Sequence, residues 1–193
     1  MTARIKLLRT IRLDPSDNFV FDPPALPGEW AVAGGFMFVD RDPALLKGRE
    51  QQAFRAGFLG LTSFGWSTLA VVVEATAEER SDAIETLANH LHQVHGAPSP
   101  ERAREAAAGE IAYAEALADH PLQTLVALHR TVTDDGHMSE QFRTLSMANA
   151  REDSRMPCSA GAFAIVAVDD ETSADGEDVD LTELVHAAHG ART

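Results

Sequence analysis

The segment from Phe54 to Val73, FRAGFLGLTSFGWSTLAVVV, constrains the fold more than any other part of the sequence. It holds three of the chain's nine Phe and one of its two Trp within thirteen positions, separated by three glycines, and then continues into an apolar run. Large rings beside residues without side chains are typical of close packing, or of a groove in which another molecule packs. Because such rings do not transfer protons near neutral pH, the segment predicts shape and contact rather than catalysis.

Two interpretations of these rings stay open. In the first, the rings belong to the core, with Phe54 and Phe58 facing inward at helical spacing and Phe64 packing near Trp66 across a strand. In the second, some rings line an exposed groove for a protein partner or an apolar ligand. The candidate partner-binding residues in that case are Phe36, Phe38, Phe58, Phe64 and Trp66.

The net charge of −14 on 193 residues limits the classes of partner. Nucleic acid and anionic membranes would repel so acidic a chain, so neither is expected as a partner. A basic protein partner, met by electrostatic steering, is favoured, and a homodimer stays open. The N-terminus lacks the apolar core of a signal peptide and no apolar run approaches the roughly 20 residues of a membrane span, so a cytoplasmic location is expected. The single cysteine, Cys158, excludes an intrachain disulfide.

Apolar runs and alternating patterns predict a sheet of several strands. The predicted strands span about 5–13, 30–39, 65–75, 122–133, 138–145 and 161–168. In the first of them Lys6, Thr10 and Arg12 are taken to form a polar side, so that side is expected to face solvent. The turn signal at residues 134–136 predicts a tight connection between the fourth and fifth strands.

Capping signals and helical periodicity predict three helices. The first begins near Asp42 and ends before Gly57, the second begins with the capping box Thr76 and Glu79, and the third restarts at Ser99. Two consecutive helices with a short connection form an antiparallel pair lying on a sheet. The predicted fold class is therefore α+β, with an antiparallel or mixed sheet and an antiparallel helix pair packed on one face.

The chain is long enough for one well-cored domain, which is predicted to span residues 1–168. Eight acidic residues and no basic one lie between Asp169 and Glu183. Residues 169–193 lack the hydrophobicity to fold alone and are predicted to form an acidic tail, with a short helix over 181–188 as one option. This tail is expected to be mobile or bound to a partner.

Candidate metal ligands are three histidines near the end of the second helix. His90, His92 and His95 lie together in the sequence, and the spacing of His92 and His95 puts both on one helix face, as metal ligands sometimes are. The alternative is that histidines near a helix C-terminus complement the helix dipole and face solvent.

Candidate ligand-binding residues are Ser67, His129 and Arg130, which would have to meet in three dimensions. Ser67 lacks the second glycine of a nucleophile elbow and leads into a strand rather than a helix. The glycine-rich segments do not open helices in a phosphate-binding pattern. No catalytic residue and no cofactor are therefore expected.

Four segments resemble a known family: LLRTIRLDPSDNFVF, PGEWAVAGGFMF, FRAGFLGLTSFGWSTL and HPLQTLVALHRTV. They are similar, over residues 4–145, to a family of uncharacterised bacterial proteins known only as a domain of unknown function. The family has no established activity, so the resemblance implies no functional residue. Its members are associated with gene neighbourhoods of molybdenum-dependent, formate-dehydrogenase-like oxidoreductases and lipoate or biotin ligase-like proteins, which implies an accessory role near such a system.

The expected function is that of a non-enzymatic accessory or interaction protein that supports the assembly or function of a redox enzyme system. Its partner would be a basic protein or an oxidoreductase subunit, bound through an exposed apolar patch. The alternative is a small ligand-binding protein or enzyme, whose site would be a closed apolar pocket.

Removing residues 170–193 tests the predicted domain boundary. We expect the melting temperature of the shortened chain to stay close to that of the full chain, because the deleted segment lacks core-forming residues. Circular dichroism melting curves of the two proteins check this, and a drop of many degrees would show that the acidic segment belongs to the fold.

Overall fold

One antiparallel sheet organises the fold. The structure is a computed structural model and describes residues 5–12, 17–133, 136–147 and 165–167. Its strands are β1 (Ile5–Ile11), β2 (Trp30–Val32), β3 (Phe58–Gly60), β4 (Trp66–Ser67), β5 (Leu69–Ala75), β6 (Leu125–Val132), β7 (Met138–Met147) and β8 (Ile165–Ala167). They lie in the order β4-β3-β2-β1-β5-β6-β7-β8, and neighbouring strands pair antiparallel.

Helices cover part of this sheet. The α-helices are α1 (Asp17–Val20), α2 (Gly48–Ala56), α3 (Ala77–Gln93) and α4 (Pro100–Leu117), and short 3-10 helices lie at Gly35–Phe38 and Pro43–Leu45. The predicted capping box is present, since the Glu79 amide donates to the Thr76 hydroxyl and the Thr76 amide donates to the Glu79 carboxylate. A serine cap at Ser99 likewise begins α4.

Two ion pairs show that α3 and α4 run antiparallel. Arg80, early in α3, pairs with Glu115 late in α4, and Glu85 pairs with Arg104 near the start of α4. Of the two helices, α4 lies closer to the sheet and contacts β1 and β2. The predicted α+β class, with an antiparallel helix pair on the sheet, is confirmed.

Three of the predicted elements take a different form in the structure. The predicted strand 30–39 ends at Val32, because Gly34 adopts φ 75° and a 3-10 helix follows it. A side chain at Gly34 would meet the Cβ of Leu59 at 2.7 Å, so close packing as well as backbone conformation requires glycine there. The predicted strand 65–75 is divided into β4 and β5, and the helix predicted from Asp42 begins as a 3-10 turn, with α2 starting only at Gly48.

The predicted solvent-facing side of β1 is wrong. Leu7 and Leu8 point to opposite faces of the strand, and both are buried in separate apolar clusters. Thr10 is only 3% exposed, and its hydroxyl donates a hydrogen bond to the carbonyl oxygen of Leu26 at 2.6 Å. Both sides of β1 are covered because a separate apolar cluster packs on each of its two faces.

The sheet curls strongly on itself. Phe58 on β3 and Phe142 on β7 have four strands between them, so in a flat sheet they would lie about 24 Å apart at roughly 4.8 Å per strand. Their ring centroids are 6.5 Å apart. The curl therefore brings β3 and β7 towards each other, and with them the segment that follows β2.

A buried arginine on β6 holds this curl together. Arg130 is 1% exposed, and its Nε donates to Glu140 on the neighbouring strand at 2.6 Å. Its Nη1 donates to the carbonyl oxygens of Phe54 and Gly57, at the end of α2, at 3.1 and 3.0 Å. Its Nη2 donates to the carbonyl oxygen of Ala33, just after β2. One side chain thus joins β6, β7, α2 and the end of β2.

Some predictions fall outside the described residues. These are the turn residues 134–135, most of the predicted loop 146–159 including Cys158, the tail 169–193 and its short helix at 181–188. Of the predicted strand 161–168, residues Ile165–Ala167 form β8. The domain boundary at residue 168 stays a prediction.

Replacing Arg130 by methionine tests the importance of this buried cation. We expect R130M to lower the free energy of unfolding by about 3–5 kcal/mol, because it leaves a largely buried carboxylate and several carbonyl oxygens without their donor. Urea denaturation of the variant checks the loss. The matched control is R143M on β7, where the arginine is exposed and the expected change is within about 0.5 kcal/mol. Equal stability of R130M and R143M would contradict this role.

Candidate functional site

The glycines of the aromatic segment allow close packing of its rings. Phe58, Phe38 and Trp66 are 0%, 6% and 7% exposed. A side chain at Gly57 would meet the indole of Trp66 at 2.7 Å, and one at Gly34 would lie 3.1 Å from the same ring. These three rings therefore agree with the first of the two interpretations drawn from the sequence, in which the rings belong to the core.

Phe36 and Phe64 are half-buried and pack against histidines of α3 and the residues that follow it. The Phe64 ring stacks on His90 with centroids 3.5 Å apart, and Phe36 meets His95 edge-on at 5.9 Å. Of the five rings proposed for partner binding, these two present the more accessible surface. Their contact with a partner stays a prediction.

The three candidate metal ligands do not converge. The rings of His90 and His95 lie 5.1 Å apart, whereas the Nδ1 of His92 is 2.9 Å from the carbonyl oxygen of Ala97. Burial, and next the neighbouring His95, lower the pKa of His90. Within the described part of the chain, no group of three or more His, Cys, Asp or Glu side chains is arranged to hold a metal ion.

The three candidate ligand-binding residues are also apart. The Ser67 hydroxyl lies 2.8 Å from the carbonyl oxygen of Leu69, beside a cavity of about 10 Å³ that has room for a single water. Arg130 is occupied by the contacts described above. His129 is exposed and, as the adjacent residue of β6, points to the opposite face from Arg130.

A different site forms where α4, the first 3-10 helix and β7 meet. It is an open cleft of about 420 Å³, which we call the acidic cleft. Its lining residues are Ala33, Gly35, Phe36, Val39, Glu110, Tyr113, Met138 and Glu140. The curl of the sheet creates it, because β7 has to approach the segment after β2 for these side chains to share one space.

Glu140 is held in the cleft from two directions. Its Oε1 accepts the hydrogen bond from Arg130, and its Oε2 accepts one from the Tyr113 hydroxyl at 3.1 Å. The Tyr113 ring itself packs edge-on against Phe142 at 5.9 Å between centroids. The position of this carboxylate is therefore fixed before any ligand arrives.

Among the described residues, no side chain of opposite charge contacts Glu110, and in this it differs from Glu140. Its carboxylate makes no hydrogen bond or ion pair with any residue that the structure describes. Burial raises its pKa, the charge of Glu140 raises it further, and the charge of Arg130 partly opposes both. The cleft thus contains a carboxylate whose ionised form would be stabilised by an added cation.

The lining can bind but offers little for catalysis. Among the described lining residues there is no serine, cysteine, lysine or histidine to act beside Glu110. Tyr113 already donates its proton to Glu140, and burial and that carboxylate raise its pKa to about 12. What remains is a set of hydrogen-bond acceptors next to the apolar side chains of Phe36, Val39 and Met138.

A family model matches residues 5–156, which is most of the chain and includes every residue of the acidic cleft. The chain belongs to the DUF6505 family, a family of unknown function. No curated protein and no solved structure matched the DUF6505 chain. None of its described helices is both long and apolar enough to cross a membrane.

The sequence did not reveal the cleft of this DUF6505 protein. Glu110 and Tyr113 are three residues apart on a predicted helix, which places them on one face, and that spacing was the only local signal. Val39, Met138 and Glu140 come from distant segments, and only the curl of the sheet brings them to α4.

Tyr113 is the single tyrosine of the chain, so its ionisation can be measured directly. We expect the ultraviolet titration of folded protein to give a midpoint near 12, against about 10 for protein unfolded in urea. The pKa of Tyr113 is higher in the folded protein than in the unfolded protein. The contribution of the protonated hydroxyl to the stability of the fold is therefore complete below pH 10 and is lost as the pH rises through 12. E140Q should lower the midpoint, and a folded midpoint near 10 would show that the hydroxyl is free in water.

Proposed function

We propose that this DUF6505 protein is a non-enzymatic accessory protein that binds a basic protein partner at the face around the acidic cleft. The observation that carries the proposal is the combination of carboxylates and exposed apolar side chains in one concave place. Val39 is 72% exposed and Met138 is 38% exposed at the cleft, and Val132, directly opposite Met138 on β6, is 41% exposed. Exposed apolar groups that cluster in this way are typical of interaction sites.

The charge of the chain supports a basic partner. A net charge of −14 attracts a positively charged surface over distances comparable to the Debye length, about 8 Å at physiological ionic strength. This long-range attraction would speed encounter, and the exposed apolar groups would then slow dissociation. Association should therefore weaken as salt concentration rises.

The identity that we propose for the partner rests on the resemblance of the four sequence segments named above. We propose that the partner belongs to a redox enzyme system, as a subunit of a molybdenum-dependent, formate-dehydrogenase-like oxidoreductase in the cytoplasm of a bacterium. Only the association of similar proteins with such gene neighbourhoods supports this part of the proposal.

A second candidate function is the binding of a small organic cation. A volume of about 420 Å³ is within the range of about 300–1,000 Å³ that is usual for small-molecule sites. The carboxylates of Glu110 and Glu140 would favour a positively charged molecule. The two functions differ in whether a macromolecule covers the rim of the cleft.

Site-specific photocrosslinking in the native cells, at native expression level, tests the partner proposal. A photoreactive amino acid at Val39 should give one principal crosslinked protein, and the crosslinked peptide should be rich in lysine or arginine. The matched control is the same amino acid at Leu122, which is 44% exposed but precedes the opposite end of β6. No crosslink at Val39, or the same products at both positions, would overturn the proposal.

A further inference from the structure

We infer that the acidic cleft binds the side chain of a single lysine or arginine of the partner. The alkyl chain would pack on Phe36, Val39 and Met138, and the cationic group would sit between Glu110 and the Tyr113–Glu140 pair. This inference rests on the proposed function, because it assigns the chemistry by which the partner is recognised at the same cleft.

The formal charges of the cleft favour one added positive charge. Glu110 and Glu140 contribute two carboxylates, and among the described residues Arg130 is the cation that acts on both. The Nε, Nη1 and Nη2 of Arg130 each donate to Glu140 or to a backbone carbonyl oxygen, and none of the hydrogen bonds of the guanidinium to the described residues goes to Glu110. Within the part of the chain that the structure describes, the Glu110 carboxylate is left without a contacting counter-ion, and one ligand cation would neutralise it.

The hydrogen-bonding groups in the cleft also suit a cation. The Tyr113 hydroxyl uses its proton on Glu140, so its oxygen remains as an acceptor, and both carboxylates are acceptors when ionised. The polar side chains that line the described cleft therefore offer acceptors and no unused donor. Ammonium and guanidinium groups carry only donors, which makes them complementary, whereas an anion would be repelled.

The apolar wall suits the rest of such a side chain. Lysine and arginine join a cationic group to an alkyl stem that packs on apolar surface. At Gly35 a Cβ would lie 3.0 Å from Oε1 of Glu140 and 3.1 Å from the terminal methyl of Met138, so the missing side chain lets β7 approach the 3-10 helix. This approach places the apolar side chains of Phe36 and Met138 within reach of the same ligand that contacts the carboxylates.

Titration with three small probes tests the inference directly. The probes are the N-acetyl methylamides of lysine, arginine and norleucine, the last having the alkyl stem without the charge. Backbone amide shifts of Glu110, Tyr113 and Glu140 in isotope-labelled protein report binding. We expect the lysine or the arginine probe, or both, to bind at least about ten-fold more tightly than the norleucine probe, as hydrogen bonds between charged groups require.

Matched variants separate the cleft from the general acidity of the chain. E110Q should weaken binding of the cationic probes about ten-fold or more, whereas E105Q, at an exposed position of the same helix, should leave it unchanged. Binding should also weaken as the pH falls through the raised pKa of Glu110, because the protonated carboxyl no longer attracts a cation. The other ionisable groups that act on Glu110 are Glu140 on β7, Tyr113 on α4 and Arg130 on β6. This pH dependence should disappear in E110Q.

The outcomes distinguish failure of the inference from failure of the proposed function. If Val39 crosslinks a basic partner but the three probes bind alike or not at all, the cation site is wrong and the accessory function stands. If the cationic probes bind with the predicted dependence on Glu110 but Val39 crosslinks no protein, a partner side chain is excluded and the cleft takes a free organic cation. Equal effects of E110Q and E105Q would overturn the inference in either case.

Discussion

The buried guanidinium of Arg130 is the interaction on which the described fold most depends. The last four carbonyl groups of a helix have no partner within the helix, and the negative end of its dipole lies among them. Arg130 supplies donors to this end of α2, so the helix terminus can be buried against β6 instead of facing water. Its bond to Glu140 compensates part of the cost of burying the charge. The same side chain that satisfies α2 therefore also holds the curl of the sheet.

The acidic cleft is a consequence of this closure. Arg130 fixes one oxygen of Glu140 and Tyr113 fixes the other, so the cleft has one neutralised carboxylate with a defined position. Glu110, on α4, lies outside this arrangement, and no cation of the described residues contacts its carboxylate. Because Arg130 supports the fold as well as the cleft, a change there cannot separate binding from stability. Changes at Glu110 and Val39 can separate the two, since neither side chain supports the core packing.

Local signals in the sequence were sufficient for α3 and α4 but not for the cleft. The capping box at Thr76 and Glu79 involves only neighbouring residues, so it could be predicted together with α3. The burial of Thr10 depends on how the strands around β1 are covered, and alternation alone wrongly placed it in solvent. The burial of Glu29 likewise depends on residues that are distant in the sequence. It is 8% exposed because it accepts hydrogen bonds from the amides of Thr62 and Ser63, more than thirty residues away.

Preorganisation connects the aromatic segment to the binding proposal. Phe64 adopts φ 50°, which is unfavourable for a residue with a side chain, and the bonds of Glu29 to the two preceding residues hold the turn that contains it. Its ring then stacks on His90, whose neighbour His95 contacts Phe36 on the cleft wall. Phe36 is held by His95, and Met138 and Glu140 lie close to Gly35 beside it. A ligand would therefore order few groups on binding, and that lowers the entropic cost of association. A rigid, acceptor-lined cleft with an uncompensated carboxylate is therefore better suited to recognising one cationic side chain than to adapting to many ligands.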